Sequence, residues 1–258
     1  MSPLSWTLSD GVLEAGLRHP PCNEIGTEML DALEALLPEL PKARALLLWS
    51  SRKEGFCAGA DLRQLYREGL ALEPEFRVAK VREFLKRIHA AFGTLDAASI
   101  PTVAAVHGVV FGGGFELALT CDLIVADRTA RFAFPELRLG IIPCFGGIPR
   151  LRRDVSNAFG RDLLFTGRSV NAQRAQQAGL VHQVVAEGEA LKAARHAARQ
   201  AAKFDPTAAA AAKRFLKPLP QAELDREMQV FLELFGRDEV QAALKRFVEN
   251  EGPMPYLP

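Results

Sequence analysis

Apolar positions along the chain recur with two periods, and the period kept by each stretch predicts its element. Residues 5–8 and 11–17 read as two short strands around a Ser-Asp-Gly turn. In residues 27–37, Met29, Leu30, Leu33, Leu36 and Leu37 form a helical stripe that ends at Pro38 and Pro41. Residues 43–49 are a continuous apolar run, as a strand buried on both faces requires. Over residues 75–95, Val78, Val81, Phe84, Leu85, Ile88, Phe92 and Leu95 recur at three- and four-residue spacing and predict a long amphipathic helix. Residues 102–106 form a second buried strand, followed by a glycine-rich segment and a helix at 115–120. Strands at 123–126 and 131–134 come next.

This strand–loop–helix–strand rhythm predicts an α/β core with right-handed crossovers. Beyond Gly140 the helical period takes over at 157–165, 172–178, 187–202, 206–215 and 222–248, with one strand at 181–185. Residues 1–200 are therefore expected to form the core and 201–258 a helical C-terminal region.

Composition narrows the function. With 48% hydrophobic and 24% charged residues, the 258-residue chain is not a disordered one. Thirty-two basic against 31 acidic residues leave +1, without the basic excess of a nucleic-acid binder. Any polyanionic partner must therefore be held locally. Cys22, Cys57, Cys121 and Cys144 are widely spaced, which argues for a reducing compartment rather than a disulfide framework. The histidines keep no zinc-ligand spacing, so no metal is expected. Residues 1–20 carry Asp10 and Glu14 and lack a signal-peptide pattern, and no apolar run approaches membrane-spanning length. A cytoplasmic protein without membrane contact is the expectation.

Three glycine-rich turns each follow an apolar strand: Phe56-Cys57-Ala58-Gly59-Ala60-Asp61-Leu62, residues 111–116, and residues 143–147. Glycine lets backbone approach a ligand, and a helix start presents free N–H groups that favour a phosphate or a developing oxyanion. The dinucleotide fingerprint fails because Leu117 stands where its last glycine is needed. No P-loop and no serine-hydrolase elbow is present.

In order and spacing these turns resemble the enoyl-CoA hydratase/isomerase, or crotonase, family. The resemblance rests on Cys57-Ala58-Gly59-Ala60-Asp61-Leu62, on Gly112-Gly113-Gly114-Phe115-Glu116-Leu117-Ala118-Leu119-Thr120-Cys121-Asp122, and on Thr166-Gly167-Arg168. It implies a crotonase-like β-β-α spiral with a helical oligomerisation region, assembling as a homotrimer or dimer of trimers. The implied substrate is an acyl-CoA thioester and the implied reaction hydration of its α,β double bond, without a cofactor. The N–H groups of Ala60 and Gly113 would hold the thioester oxygen as it becomes an enolate. Glu116 and Glu136 match the two acid/base glutamates of the hydratases, Glu116 activating water and Glu136 supplying a proton at the α-carbon. Ala58, Gly59, Asp61, Arg63, Gly112 and Cys144 are the expected substrate-binding positions.

Glu116, one helical turn after Gly113, sits in the apolar context of Phe115 and Leu117, where an unpaired carboxylate is costly. One departure stands out: Cys144 replaces a glycine that the family uses to hold the catalytic water. No histidine is close in sequence, so a packed thiol is favoured over a nucleophile. Asp61 is expected to cap the helix starting at Leu62, and His107 to be a hydrogen-bonded core residue. Lys213-Arg214 and Lys245-Arg246 either reach the coenzyme A phosphate or face solvent. The rivals to hydration are double-bond isomerisation and, from another class, an RNA-binding or inert family member.

Overall fold

The computed structural model describes residues 2–70 and 72–250. The chain opens with β1 (Leu4–Ser9) and β2 (Val12–Leu17), an antiparallel hairpin in which Leu4 faces Leu17. Helix α1 (Thr27–Leu36) runs into a 3₁₀ segment, Leu37–Lys42, where Pro38 and Pro41 remove the donors an α-helix needs. β3 (Ala45–Ser50) then pairs parallel to β2.

From here the chain repeats a pattern: a strand in a large sheet, a three-residue strand in a small sheet, then helix. β3 is followed by β4 (Gly55–Cys57), α2 (Leu62–Leu70) and α3 (Pro74–Asp96). β5 (Thr102–Val106) is followed by β6 (Val109–Phe111) and α4 (Gly113–Leu119). β7 (Leu123–Asp127) leads to β8 (Arg131–Ala133), α5 (Gly147–Asp154) and α6 (Asn157–Thr166). Then come β9 (Val170–Asn171), α7 (Ala172–Gln177), β10 (Gln183–Val185) and α8 (Ala190–Ala201). The large sheet has the order β1-β2-β3-β5-β7-β10 and the small one β4-β6-β8-β9. This is the expected β-β-α spiral.

Both faces of the large sheet are buried. Leu46 and Leu48 of β3 point into the main core, while Ala45 and Leu47 join a second cluster under α8. Ala190, Ala194, Ala198 and Ala202, four residues apart, give α8 a flat face that lies close on the sheet. That explains why 43–49 reads as continuously apolar.

The C-terminal region holds α9 (Pro206–Leu216), α10 (Gln221–Phe235) and α11 (Asp238–Glu249). The single helix expected over 222–248 is thus two, separated at Gly236-Arg237. The apolar stripe continues across the break because both helices pack on one core. Helix α5 and the short β4 and β6 carry too few residues to show a period. Residues 251–258 lie outside the described part of the chain.

Candidate active site

The small sheet positions the site. β4, β6 and β8 run parallel; the first two glycine-rich turns leave the carboxyl ends of β4 and β6, and the segment carrying Glu136 leaves that of β8. Ligands of open α/β sheets bind at such an edge, where helix N-termini and free loop N–H groups converge. In the first turn, Ile25 N–H donates to Gly59 O (2.8 Å) and Asp61 N–H to Ile25 O (3.1 Å). This parallel bridge passes over Ala60 and leaves its N–H out of the ladder. Asp61 Oδ1 accepts from Gln64 N–H at 2.8 Å, so it caps α2 as expected and also lines the cavity.

Gly113 opens α4, so its N–H has no acceptor within the helix. A Cβ placed on Gly113 would lie 3.3 Å from Ala60 N, which puts the two donor-bearing backbones side by side. Gly112 makes this possible: its φ of +48° disfavours an L side chain, and a Cβ there would come within 2.6 Å of Glu136 Oε1. The Glu136 carboxylate therefore lies over the donor turn.

Glu116 enters from the next turn of α4 and is 2% exposed. Its Oε1 accepts two N–H groups from the start of α5, Phe145 at 2.7 Å and Gly147 at 2.8 Å. Burial pushes its pKa up to about 7, against the pull of those two N–H groups and of Arg150. Glu136 is also pushed well above its ordinary value, by burial first and by the Glu116 charge second; its Oε2 is buried without a hydrogen-bond partner. Two carboxyls, both raised by burial, thus face one cavity of about 300 Å³.

Ala58, Gly59, Ala60, Asp61, Gly112, Gly113, Glu116, Glu136 and Cys144 all line that cavity. Its other walls are mainly apolar, from Ile25, Leu65, Val81, Phe84, Leu139 and Ile142. At its rim Lys80 pairs with Glu68, and Arg87 with Asp31 and Glu34.

Arg63, alone among the expected substrate-binding positions, does not line that cavity. Its guanidinium donates to Val248 O (2.6 Å) and Asn250 O (3.2 Å) and stacks 5.7 Å over the Phe247 ring, away from the cavity. The helix C-terminus of α11 attracts a cation there. Lys213 is tied to Asp122 at 2.9 Å and Lys245 to Glu249 at 3.9 Å. His107 donates to Arg52 O as a hydrogen-bonded residue, but it is half-buried just past β5 rather than in the core.

Cys144 does have a histidine neighbour, His89, brought from α3. The ring Nε2–H donates to the Cys144 carbonyl at 2.7 Å rather than to the thiol. Burial, then the charges of Glu116, Glu227 and Glu136, push the thiol well above its ordinary pKa. A neutral packed thiol results.

Two features escaped the sequence reading. Arg150 is fully buried and joins Asp96 (2.7 Å) to the carbonyl of Phe145 (2.8 Å), bracing the turn that holds Glu116. Glu227 of α10 reaches the same turn from behind. Its position between Leu224 and Phe231, on the buried side of the helix, was the available signal.

A spiral of β-β-α units carrying paired backbone donors and two buried carboxyls is the crotonase architecture. The chain belongs to the enoyl-CoA hydratase/isomerase family, whose model matches residues 8–254. It is 35% identical over 232 residues to a probable enoyl-CoA hydratase of Rhizobium meliloti, covering 88% of this chain and 86% of that one. The 2,3-dehydroadipyl-CoA hydratase of Escherichia coli is 33% identical over 235 residues, 90% and 88% of the two chains. Among solved structures, carnitinyl-CoA hydratase from Mycobacterium avium superposes with a TM-score of 0.82 at 25% identity, covering 96% of each chain.

Proposed function

We propose that this enzyme adds water reversibly across the α,β double bond of a 2-enoyl-CoA thioester, giving the 3-hydroxyacyl-CoA. The observation that carries this reading is geometric: Glu116 and Glu136 line one cavity with the Ala60 and Gly113 backbones, Glu136 Oε1 lying over the Gly112 turn. With a pKa near 7, Glu116 is the member available as base. It takes a proton from water as the oxygen bonds to the β-carbon. The π electrons move toward the thioester oxygen, whose developing charge meets the two N–H groups. Glu136, held protonated, delivers its proton to the α-carbon as the enolate collapses. The proton gained by Glu116 and the one lost by Glu136 re-equilibrate before the next turnover.

No metal or redox cofactor enters this scheme. Among the described residues no group of three or more His, Cys, Asp or Glu side chains is placed to hold a metal ion. Among them, too, no helix is long and apolar enough to cross a membrane. Assembly as a homotrimer or dimer of trimers belongs to the same reading. It is supported by large apolar side chains left on the surface, Phe165, Phe204, Phe215 and Leu216, the last two more than 80% exposed.

Purified protein incubated with crotonyl-CoA and longer 2-enoyl-CoAs should consume the enoyl absorbance, with a product heavier by one water in mass spectrometry. Isomerisation of 3-enoyl-CoAs with every 2-enoyl-CoA left unhydrated would sink the proposal.

A further inference from the structure

Four consecutive N–H groups at the start of α5 are shared alternately between two carboxylates. Phe145 and Gly147 donate to Glu116, while Gly146 and Ile148 donate to Glu227, at 2.7 and 2.8 Å. The two acids grip opposite sides of one turn. Gly146, at φ +94°, gives the turn the left-handed residue that alternation requires, and a Cβ there would come within 2.6 Å of Leu224 Cδ2 on α10. Glu227 is 5% exposed and does not line the catalytic cavity. It belongs to α10, which packs against α3 and α5, so the C-terminal helices reach the catalytic turn directly.

Resting on the hydratase reading above, we propose that Glu227 is a positioning residue. By holding Gly146 and Ile148 it aims the alternating Phe145 and Gly147 N–H groups at Glu116 Oε1, which fixes the other carboxylate oxygen for water. Without Glu227, two buried donors lose their acceptor and the turn must relax to satisfy them. Glu116 would then keep its identity and lose its aim. The effect belongs in the chemical step rather than in substrate affinity, because Glu227 touches no part of the cavity.

The test compares Glu227→Gln and Glu227→Ala with wild type. Gln keeps one acceptor oxygen and the shape of the side chain; Ala keeps neither. For Glu227→Gln, kcat should fall about 10- to 100-fold, the size expected for one buried donor left unpaired, with KM within about threefold. Glu227→Ala should be slower still, and if it fails to fold, Gln alone decides. In single-turnover assays, adding Glu227→Gln to Glu116→Gln should cost nothing beyond Glu116→Gln alone. Unchanged kcat, a loss confined to KM, or a loss that multiplies in the Glu116→Gln background each overturns the proposal. Amide exchange followed by NMR separates this result from the reaction itself. Exchange at Phe145 and Gly147, which are bonded to Glu116, should accelerate in Glu227→Gln even if no enoyl-CoA proves to be a substrate. Unchanged exchange there would overturn the positioning role, whereas wild type that hydrates nothing would overturn only the hydratase reading.

Discussion

Two clusters of buried charge lie on either side of the turn at 145–150, and they are built on opposite principles. Asp96 is an acid surrounded by cations: Arg150 at 2.7 Å, Lys217 at 3.0 Å and Arg153 at 3.1 Å. Burial alone would raise its pKa, but Lys217, Arg150 and Arg153 outweigh burial and hold it below the usual carboxylate range. Across the turn, Glu116 and Glu227 feel Arg150 as their nearby cation and Glu136 feels the Glu116 charge, and burial raises all three. Asp96 and Glu116, each 2% exposed, are thus shifted in opposite directions. The compensated acid acts as a brace, and burial holds the less compensated acids toward their protonated forms.

The largest effect that would test this contrast is on rate. Glu116→Gln should lower hydration by about 10²- to 10⁴-fold, the usual range for a lost general base, with the thermal midpoint unchanged or raised. Gln still offers an oxygen to Phe145 and Gly147 while removing an uncompensated charge. Asp96→Asn should behave in reverse. It leaves buried cations without their anion and should cost about 3–5 kcal/mol in denaturant unfolding. If the two variants lost stability equally, the distinction between brace and site would collapse.

The pH dependence sharpens the comparison, because the two clusters are linked to protons with opposite sign. Glu116 binds its proton more tightly folded than unfolded. Its contribution to stability is present below the unfolded value of 4.5 and is lost as pH rises through about 7. The stability of wild type relative to Glu116→Gln should therefore fall between pH 4.5 and 8, by on the order of 3 kcal/mol. Asp96 contributes above its unfolded value of 3.8 and loses that contribution as pH drops through its lowered folded value. The advantage of wild type over Asp96→Asn should therefore shrink only in acid. Over the same upper range kcat/KM should climb through pH 7 to a plateau as Glu116 ionises. A pH-independent stability difference for either variant would contradict the assigned linkage.

The spiral was legible in the sequence because its large-sheet strands and long helices carry clear periods. Leu46-Leu47-Leu48 and the stripe from Val78 to Leu95 announce themselves. The donor turns were legible because glycine is informative: Gly112 is required both by its φ and by the Glu136 carboxylate beside it. What stayed hidden is what only tertiary packing creates. Asp96, the Arg150/Arg153 pair and Lys217 come from three distant parts of the sequence and look like ordinary surface charges. Arg63 follows a ligand-lining turn, yet its position on α2 turns it toward α11. The break at Gly236 was concealed because apolar residues continue on both sides of it.

The smallest expected effect concerns Cys144, which touches the uncompensated acids without taking part in their exchange. Burial first, and the neighbouring acids Glu116 and Glu227 second, keep its thiol neutral, so a thiolate is not available to attack substrate. What the position does supply is its carbonyl, held by the His89 ring, and a backbone that leads into the Glu116 turn. Burial lowers the pKa of His89, which favours the neutral ring; as the carbonyl can only accept, the proton resides on Nε2. Replacing Cys144 by Ala should therefore preserve both features. Its kcat should stay within about threefold of wild type, a packing change of less than about 0.7 kcal/mol in the barrier. Alkylation of the wild-type thiol by iodoacetamide at pH 7 should likewise be slower than that of free cysteine. A hundredfold loss in Cys144→Ala, or rapid alkylation, would mean that the thiol belongs with the exchanging acids after all.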